Sequence, residues 1–154
     1  KRGARRKTVE TSKFYLFDSG VARRLSRRRE TTPGSPEYGH LFETWVHHEL
    51  RCYLDARVRD GEIAYWRTPA GVEVDFVVGN AAIEAKSADH IDNHDLRNLK
   101  AISEEGRFDR RIIVCREPKA AHVDGIDILP AREFVERLWN DELLDALSSA
   151  ALMN

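Results

Sequence analysis

Four charged side chains in G-V-E-V-D-F-V-V-G-N-A-A-I-E-A-K, residues 71–86, have the types and spacing for metal chemistry. Glu73 and Asp75 alternate with Val74, Phe76 and Val78, and Glu84 and Lys86 alternate with Ile83 and Ala85. At the strand period of two, the apolar residues turn to one face and the charges to the other. Gly79-Asn80 suits a two-residue hairpin loop with Gly first. That loop sets Asp75 across from Glu84 and Glu73 across from Lys86. A loop one residue later, Asn80-Ala81, sets Asp75 across from Lys86 on the same face. Either register gathers two carboxylates and an ammonium.

Like charges directly opposite one another cost a few tenths of a kcal/mol, up to about 1. A hard cation such as Mg²⁺ or Mn²⁺ reverses the sign, because it prefers carboxylate oxygens. The matching chemistry is metal-dependent phosphodiester hydrolysis, in which Asp75 and Glu84 hold the ion and Lys86 orients water or offsets phosphoryl charge. The same pattern also fits an amphipathic hairpin with a solvated charged face.

The element before the hairpin is a helix. In residues 39–54, Leu41, Phe42, Trp45, Val46, Leu50, Tyr53 and Leu54 recur at helical spacing, and Glu43 and Glu49 fall inside that stripe. Acids on a buried stripe require a partner, either an Arg or a shared metal site. Residues 31–39, with Pro33, Gly34 and Pro36, read as a loop. Residues 13–17 read as a strand and residues 18–29 as a short capped helix carrying Val21, Ala22 and Leu25. Downstream, I-A-Y-W-R at 63–67 is a strand, a helix runs from a cap at Asp92 or Asn93 to about Glu105, residues 111–115 and 126–129 are strands, and Pro130 opens a helix. A last amphipathic segment holds Leu143, Leu144 and Leu147. The expected class is α/β, a central mixed β-sheet flanked by helices. The expected divisions are a basic N-terminal extension over 1–12, the α/β domain over 13–140 and a C-terminal helical tail over 141–154.

Charge is unevenly spread. Residues 1–40 carry 11 Lys and Arg against 4 Asp and Glu, whereas the rest carries 14 against 22. A basic arm including Arg5 and Arg6, with Arg28 in the Arg27–Arg29 run, fits phosphate contacts on DNA and equally fits a solvated extension. Arg67 has the reach for a phosphate or for a pairing with Glu49 or Glu73. Tyr65 and Trp66 read first as core, with stacking on a base as the alternative. His90 and His94 stand i, i+4, the spacing of a zinc helix, with no third ligand at suitable spacing. Cys52 and Cys115 read as reduced core thiols of a cytoplasmic protein. No apolar run has the length of a membrane span. No G-x-x-x-x-G-K-[ST] run is present, so this chain contains no P-loop ATP site. It begins at Lys1, which suggests a piece of a longer polypeptide.

Four segments together carry a resemblance: K-F-Y-L-F-D-S-G-V at 13–21, G-H-L-F-E-T-W-V-H-H-E-L at 39–50, Y-W-R-T-P-A-G-V-E-V-D-F-V-V at 65–78 and I-E-A-K-S at 83–87. The chain resembles the C-terminal domain of unknown function numbered 4143, which follows an AAA+ ATPase module in many bacterial and archaeal proteins. That family is similar in core to the PD-(D/E)xK nucleases, so the resemblance implies a restriction-endonuclease-like core. It also implies a site of helix Glu43, strand Asp75 and the Glu84-x-Lys86 pair, with Asp75, Glu84 and Glu43 as Mg²⁺ or Mn²⁺ ligands. Val74 stands where the eponymous Pro would be. The implied partners are DNA and an upstream AAA+ ATPase module of the same polypeptide. The implied function is DNA phosphodiester hydrolysis; the alternative is a non-catalytic DNA- or protein-binding module. Leucines near the C-terminus, read as exposed, add an assembly role and an oligomer.

Overall fold

The computed structural model describes Tyr15, Gly20 and residues 32–57, 61–68, 71–103 and 108–144. The basic arm with Arg5 and Arg6, Arg28 and Leu147 lie outside these residues, as do the 13–17 strand apart from Tyr15 and the 18–29 helix apart from Gly20. The described elements are α1 (Pro36–Ala56), β1 (Ala64–Arg67), β2 (Glu73–Val78), β3 (Ala81–Ala85), α2 (Arg97–Ser103), β4 (Arg110–Cys115), β5 (Ala121–Val123), β6 (Ile126–Pro130) and α3 (Ala131–Trp139). None of the described helices is long and apolar enough to cross a membrane.

The strands form one mixed six-stranded sheet in the order β1-β2-β3-β4-β6-β5. β3, β4 and β6 run parallel at its centre, while β1–β2, β2–β3 and β5–β6 are antiparallel. The central strand β4 is apolar and buried from Ile112 to Cys115 because both faces are covered there. On one face, Phe76, Val78, Ile83, Ile112, Val114 and Leu129 pack against Phe42, Val46, Leu50 and Tyr53 of α1 and Phe134 and Leu138 of α3. On the other, Val74, Ala82, Ile113, Cys115, Ile126 and Ile128 pack against Leu99 and Ile102 of α2 and against Ile91 and Leu96. The class is α/β, as the sequence patterning predicts.

Several expectations are corrected. α1 begins at Pro36 rather than after a loop ending at Gly39: Ser35 is its N-cap, accepting the Tyr38 amide at 3.2 Å, and Pro36 occupies the first turn where its missing N–H costs nothing. The helix expected from Asp92 starts at Arg97, because Asp92 Oδ1 accepts the amides of His94 and Asp95 and winds residues 92–95 into a separate turn. β5 was not expected, although its signal is present: Asp124 (φ 52) and Gly125 (φ 74) form a two-residue loop of type I′ between Val123 and Ile126. Leu143 and Leu144, read as exposed, are only 2% and 3% exposed and belong to the core beneath α1 and α3. Cys115 is buried as expected, whereas Cys52 is only partly so, with its sulfur 3.5 Å from His48 Nδ1.

Candidate metal centre

The site begins with the hairpin. The β2–β3 ladder pairs Val78 with Ala81, Val77 with Ala82 and Phe76 with Ile83, the register set by a loop at Gly79-Asn80. Gly79 takes φ +58 and Asn80 does not enter the left-handed region, which is why the first loop position is glycine.

Alternation along β2 breaks at Asp75. Ala64 pairs with Val77 but Trp66 pairs with Val74, so Tyr65 alone faces both Asp75 and Phe76, a β-bulge. Val74 consequently turns to the α2 side and Phe76 to the α1 side, correcting the expectation that Val74, Phe76 and Val78 share a face. Glu84 neighbours Ile113 across the β3–β4 ladder and so follows the α2 side. Asp75 meets it by a different route from simple face sharing. Its Oδ2 reaches into the fork where β2 and β3 part and accepts the Ala85 amide at 3.0 Å.

Glu84 is the one charged side chain among the described residues that is fully buried, at 4% exposure. Its Oε1 lies 3.0 Å from Lys86 Nζ, and its Oε2 is buried without a hydrogen-bond partner. Burial, and after it the neighbouring Asp75 charge, push the Glu84 carboxyl up to about 7, against the opposing pull of Lys86 and of the Asp75 backbone amide. Burial works to lower the Lys86 ammonium, but the hydrogen-bonded Glu84 carboxylate and the charges of Asp75 and Asp95 outweigh it and hold its pKa above the ordinary value. The structure thus brings Asp75, Glu84 and Lys86 into one electrostatic unit.

Glu43 sits on the α1 side. Its Oε1 accepts the Tyr15 hydroxyl at 2.6 Å and its Oε2 lies 3.9 Å from His40 Nδ1, which answers the need of a carboxylate on the apolar stripe. Glu43 is absent from the groups that act on Glu84. Glu49 is half-buried. Arg67 is exposed at the end of β1 and pairs in register with Glu73. His90 and His94 do not share a helix face: His90 Nδ1 is 3.4 Å from Glu117, and His94 joins Asp92 and Asp95 in a surface group whose ligand-type atoms lie within 4.8 Å of one another.

Periodicity singles out neither His47 nor Tyr65, yet both line a cleft of about 250 Å³ with Tyr15, Ile63, Ala64, Asp75 and Phe76. The His47 ring stacks on Tyr15 with centroids 4.3 Å apart and planes 14° apart. Burial first, then the charges of Arg51 and His48, hold its pKa below the ordinary value against the pull of Glu43. The available signal was the position of His47 one turn after Glu43, on the same helix face.

Residues 38–134 match the family described as Domain of unknown function (DUF4143). No curated protein and no solved structure matches the chain.

Proposed function

Because the chain belongs to the DUF4143 family, whose description assigns no reaction, we propose from the site itself that this is a nuclease-like domain hydrolysing DNA phosphodiesters with Mg²⁺ or Mn²⁺. One observation carries the reading: the buried Glu84 carboxylate, with one oxygen on Lys86 and the other without a partner, next to the charge of Asp75. A buried acid with an unanswered oxygen is costly unless something supplies positive charge.

The donor set fits such an ion. Asp75 and Glu84 offer hard carboxylate oxygens; Glu43, tied to Tyr15 on the α1 side, becomes the third acid only by turning from that contact toward Asp75. When bound, the ion supplies charge stabilisation at the phosphoryl group. Lys86, held by Glu84, donates to the attacking water or to the phosphate oxygens as charge develops there. The Ala85 amide fixes the Asp75 carboxylate, so that the acid needs little reordering before it acts. Arg67, exposed beside Glu73, contacts a DNA phosphate, and Arg5, Arg6 and Arg28 add positive charge for phosphate binding. The link to an upstream AAA+ ATPase module of the same polypeptide rests on the resemblance of the four sequence segments.

A second reading, a non-catalytic module that holds DNA or a protein for the ATPase, is favoured by one feature. With its carboxyl raised to about 7, Glu84 can retain a proton near neutral pH and the site can persist without an ion. Turnover of a labelled DNA panel in Mn²⁺ against EDTA separates the two. Metal-dependent cleavage lost in Lys86→Ala supports the enzyme; binding without cleavage in either buffer supports the module.

A further inference from the structure

We propose that the cleft between α1 and β1 is a stacking pocket for a single unpaired nucleobase, so that the domain acts on single strands, flaps or frayed ends rather than on intact duplex. The proposal rests on the nuclease reading and names the form of its substrate.

The walls of the cleft decide its ligand. Tyr15, His47, Tyr65 and Phe76 supply four rings around about 250 Å³, and Asp75 of the acid cluster is part of the same lining. Three of the rings form one packed set: Tyr15 stacks on His47, and Phe76 lies 5.8 Å from Tyr15 and 6.0 Å from His47. A planar, apolar-faced ligand with polar edges matches such walls, and every base presents a π-face. The volume is below that of pockets for drug-sized ligands, about 300–1,000 Å³, so the cleft suits one small ring system, which a base offers only once it has left its stack.

Two contacts also position the platform before binding. The Tyr15 hydroxyl is tied to Glu43 at 2.6 Å, and its ring is held against His47. The lowered pKa of His47 leaves its ring neutral near pH 7, suited to stacking rather than to pairing with an anion. Preorganisation of this kind lowers the ordering cost of a bound base. Because Asp75 belongs both to the cleft and to the acid cluster, a base seated here leads its own phosphate to the metal ligands.

The test uses the 154-residue chain in EDTA, where no cleavage intervenes. A single-stranded oligonucleotide containing 2-aminopurine is titrated beside the same oligonucleotide in blunt duplex. The single strand is expected to bind more tightly, with its fluorescence quenched. Tyr65→Ala and His47→Ala are each expected to weaken single-strand binding on the order of tenfold and to remove the quench. Equal affinity for blunt duplex and single strand overturns the proposal, as does wild-type affinity in both variants. Competition by a free nucleoside at the oligonucleotide's own concentration overturns it as well, because the ligand is then not a strand. The metal reading is scored separately, by whether Mn²⁺ raises the wild-type melting temperature. A rise without single-strand preference sinks the pocket and leaves the metal site standing.

Discussion

The Asp75 carboxylate does the work of a backbone carbonyl on the neighbouring strand, its Oδ2 accepting the Ala85 amide at 3.0 Å where the β2–β3 ladder has ended at Phe76 and Ile83. The contact holds the fork between the strands and fixes the acid beside Glu84. Asp75→Ala strands that amide, and a stability loss of about 1–3 kcal/mol is expected. Asp75→Asn retains an oxygen acceptor and is expected to cost far less. Urea midpoints of the two variants at pH 7 check this; equal losses would mean that the hydrogen bond does not hold the fork.

The raised carboxyl of Glu84 makes stability depend on pH. The folded group keeps its proton up to about 7, whereas an unfolded Glu loses it near about 4.3. Between those values the folded state binds more protons, so stability falls as pH rises. The contribution is complete below about pH 4.3 and lost as pH passes through about 7, at roughly 3–4 kcal/mol in all. Subtracting the pH–melting curve of Glu84→Gln from that of the wild type isolates it. Parallel curves from pH 4 to 8 would show that the carboxyl titrates normally. Asp75→Asn should shift the wild-type fall to lower pH by removing the charge next to Glu84.

Much of this architecture was legible in the chain. The hairpin register followed from Gly79-Asn80, and the apolar stripe of α1 and the run of β4 identified the surfaces they bury. Alternation could not reveal the bulge at Asp75, because no glycine marks it. It is created where Tyr65 on β1 faces two residues of β2, a tertiary relationship. The pairing of Glu43 with Tyr15 joins residues 28 positions apart and was likewise invisible to periodicity. The β5–β6 turn is legible as well: Asp124-Gly125 is a strong two-residue hairpin signal. The burial of Leu143 and Leu144 is not legible, because amphipathic spacing alone does not indicate whether a groove awaits the segment.

Gly125 offers a local check on that turn. It holds φ +74, where a side chain is strained by about 1–2 kcal/mol, and an added Cβ would stand 2.6 Å from the Arg111 guanidinium. Gly125→Ala is therefore expected to destabilise the chain by at least about 1 kcal/mol. A melting temperature equal to wild type would contradict the assigned turn.

The buried C-terminal leucines make a contrary prediction to that of an assembly surface. Leu144→Ala should cost about 2–5 kcal/mol in chemical denaturation, as for a core leucine, and leave the sedimentation coefficient of the folded protein unchanged. A change in sedimentation without loss of stability would return these residues to an interface.

Mn²⁺ binding distinguishes a metal site from a self-contained ion pair through folding stability. A ligand that binds only the native state adds RT ln(1 + [L]/Kd), about 2.7 kcal/mol at a hundredfold excess over Kd. For a chain of this length that corresponds to on the order of 5–10 °C in melting temperature. Binding must displace the proton held by Glu84, so the rise should be larger at pH 8 than at pH 6. Asp75→Asn should abolish the rise at both values, since it removes one of the two coupled carboxylates, while leaving the Ala85 contact an oxygen to accept. Lys86→Met offers a further control. It removes the cation that now answers Glu84 Oε1 at 3.0 Å, so the metal-free protein should weaken while its relative gain from Mn²⁺ grows. If the Glu84–Lys86 pair is the whole purpose of the site, Lys86→Met weakens the protein and Mn²⁺ restores nothing. A flat Mn²⁺ titration of the wild type at pH 8 would move the assignment to the binding module.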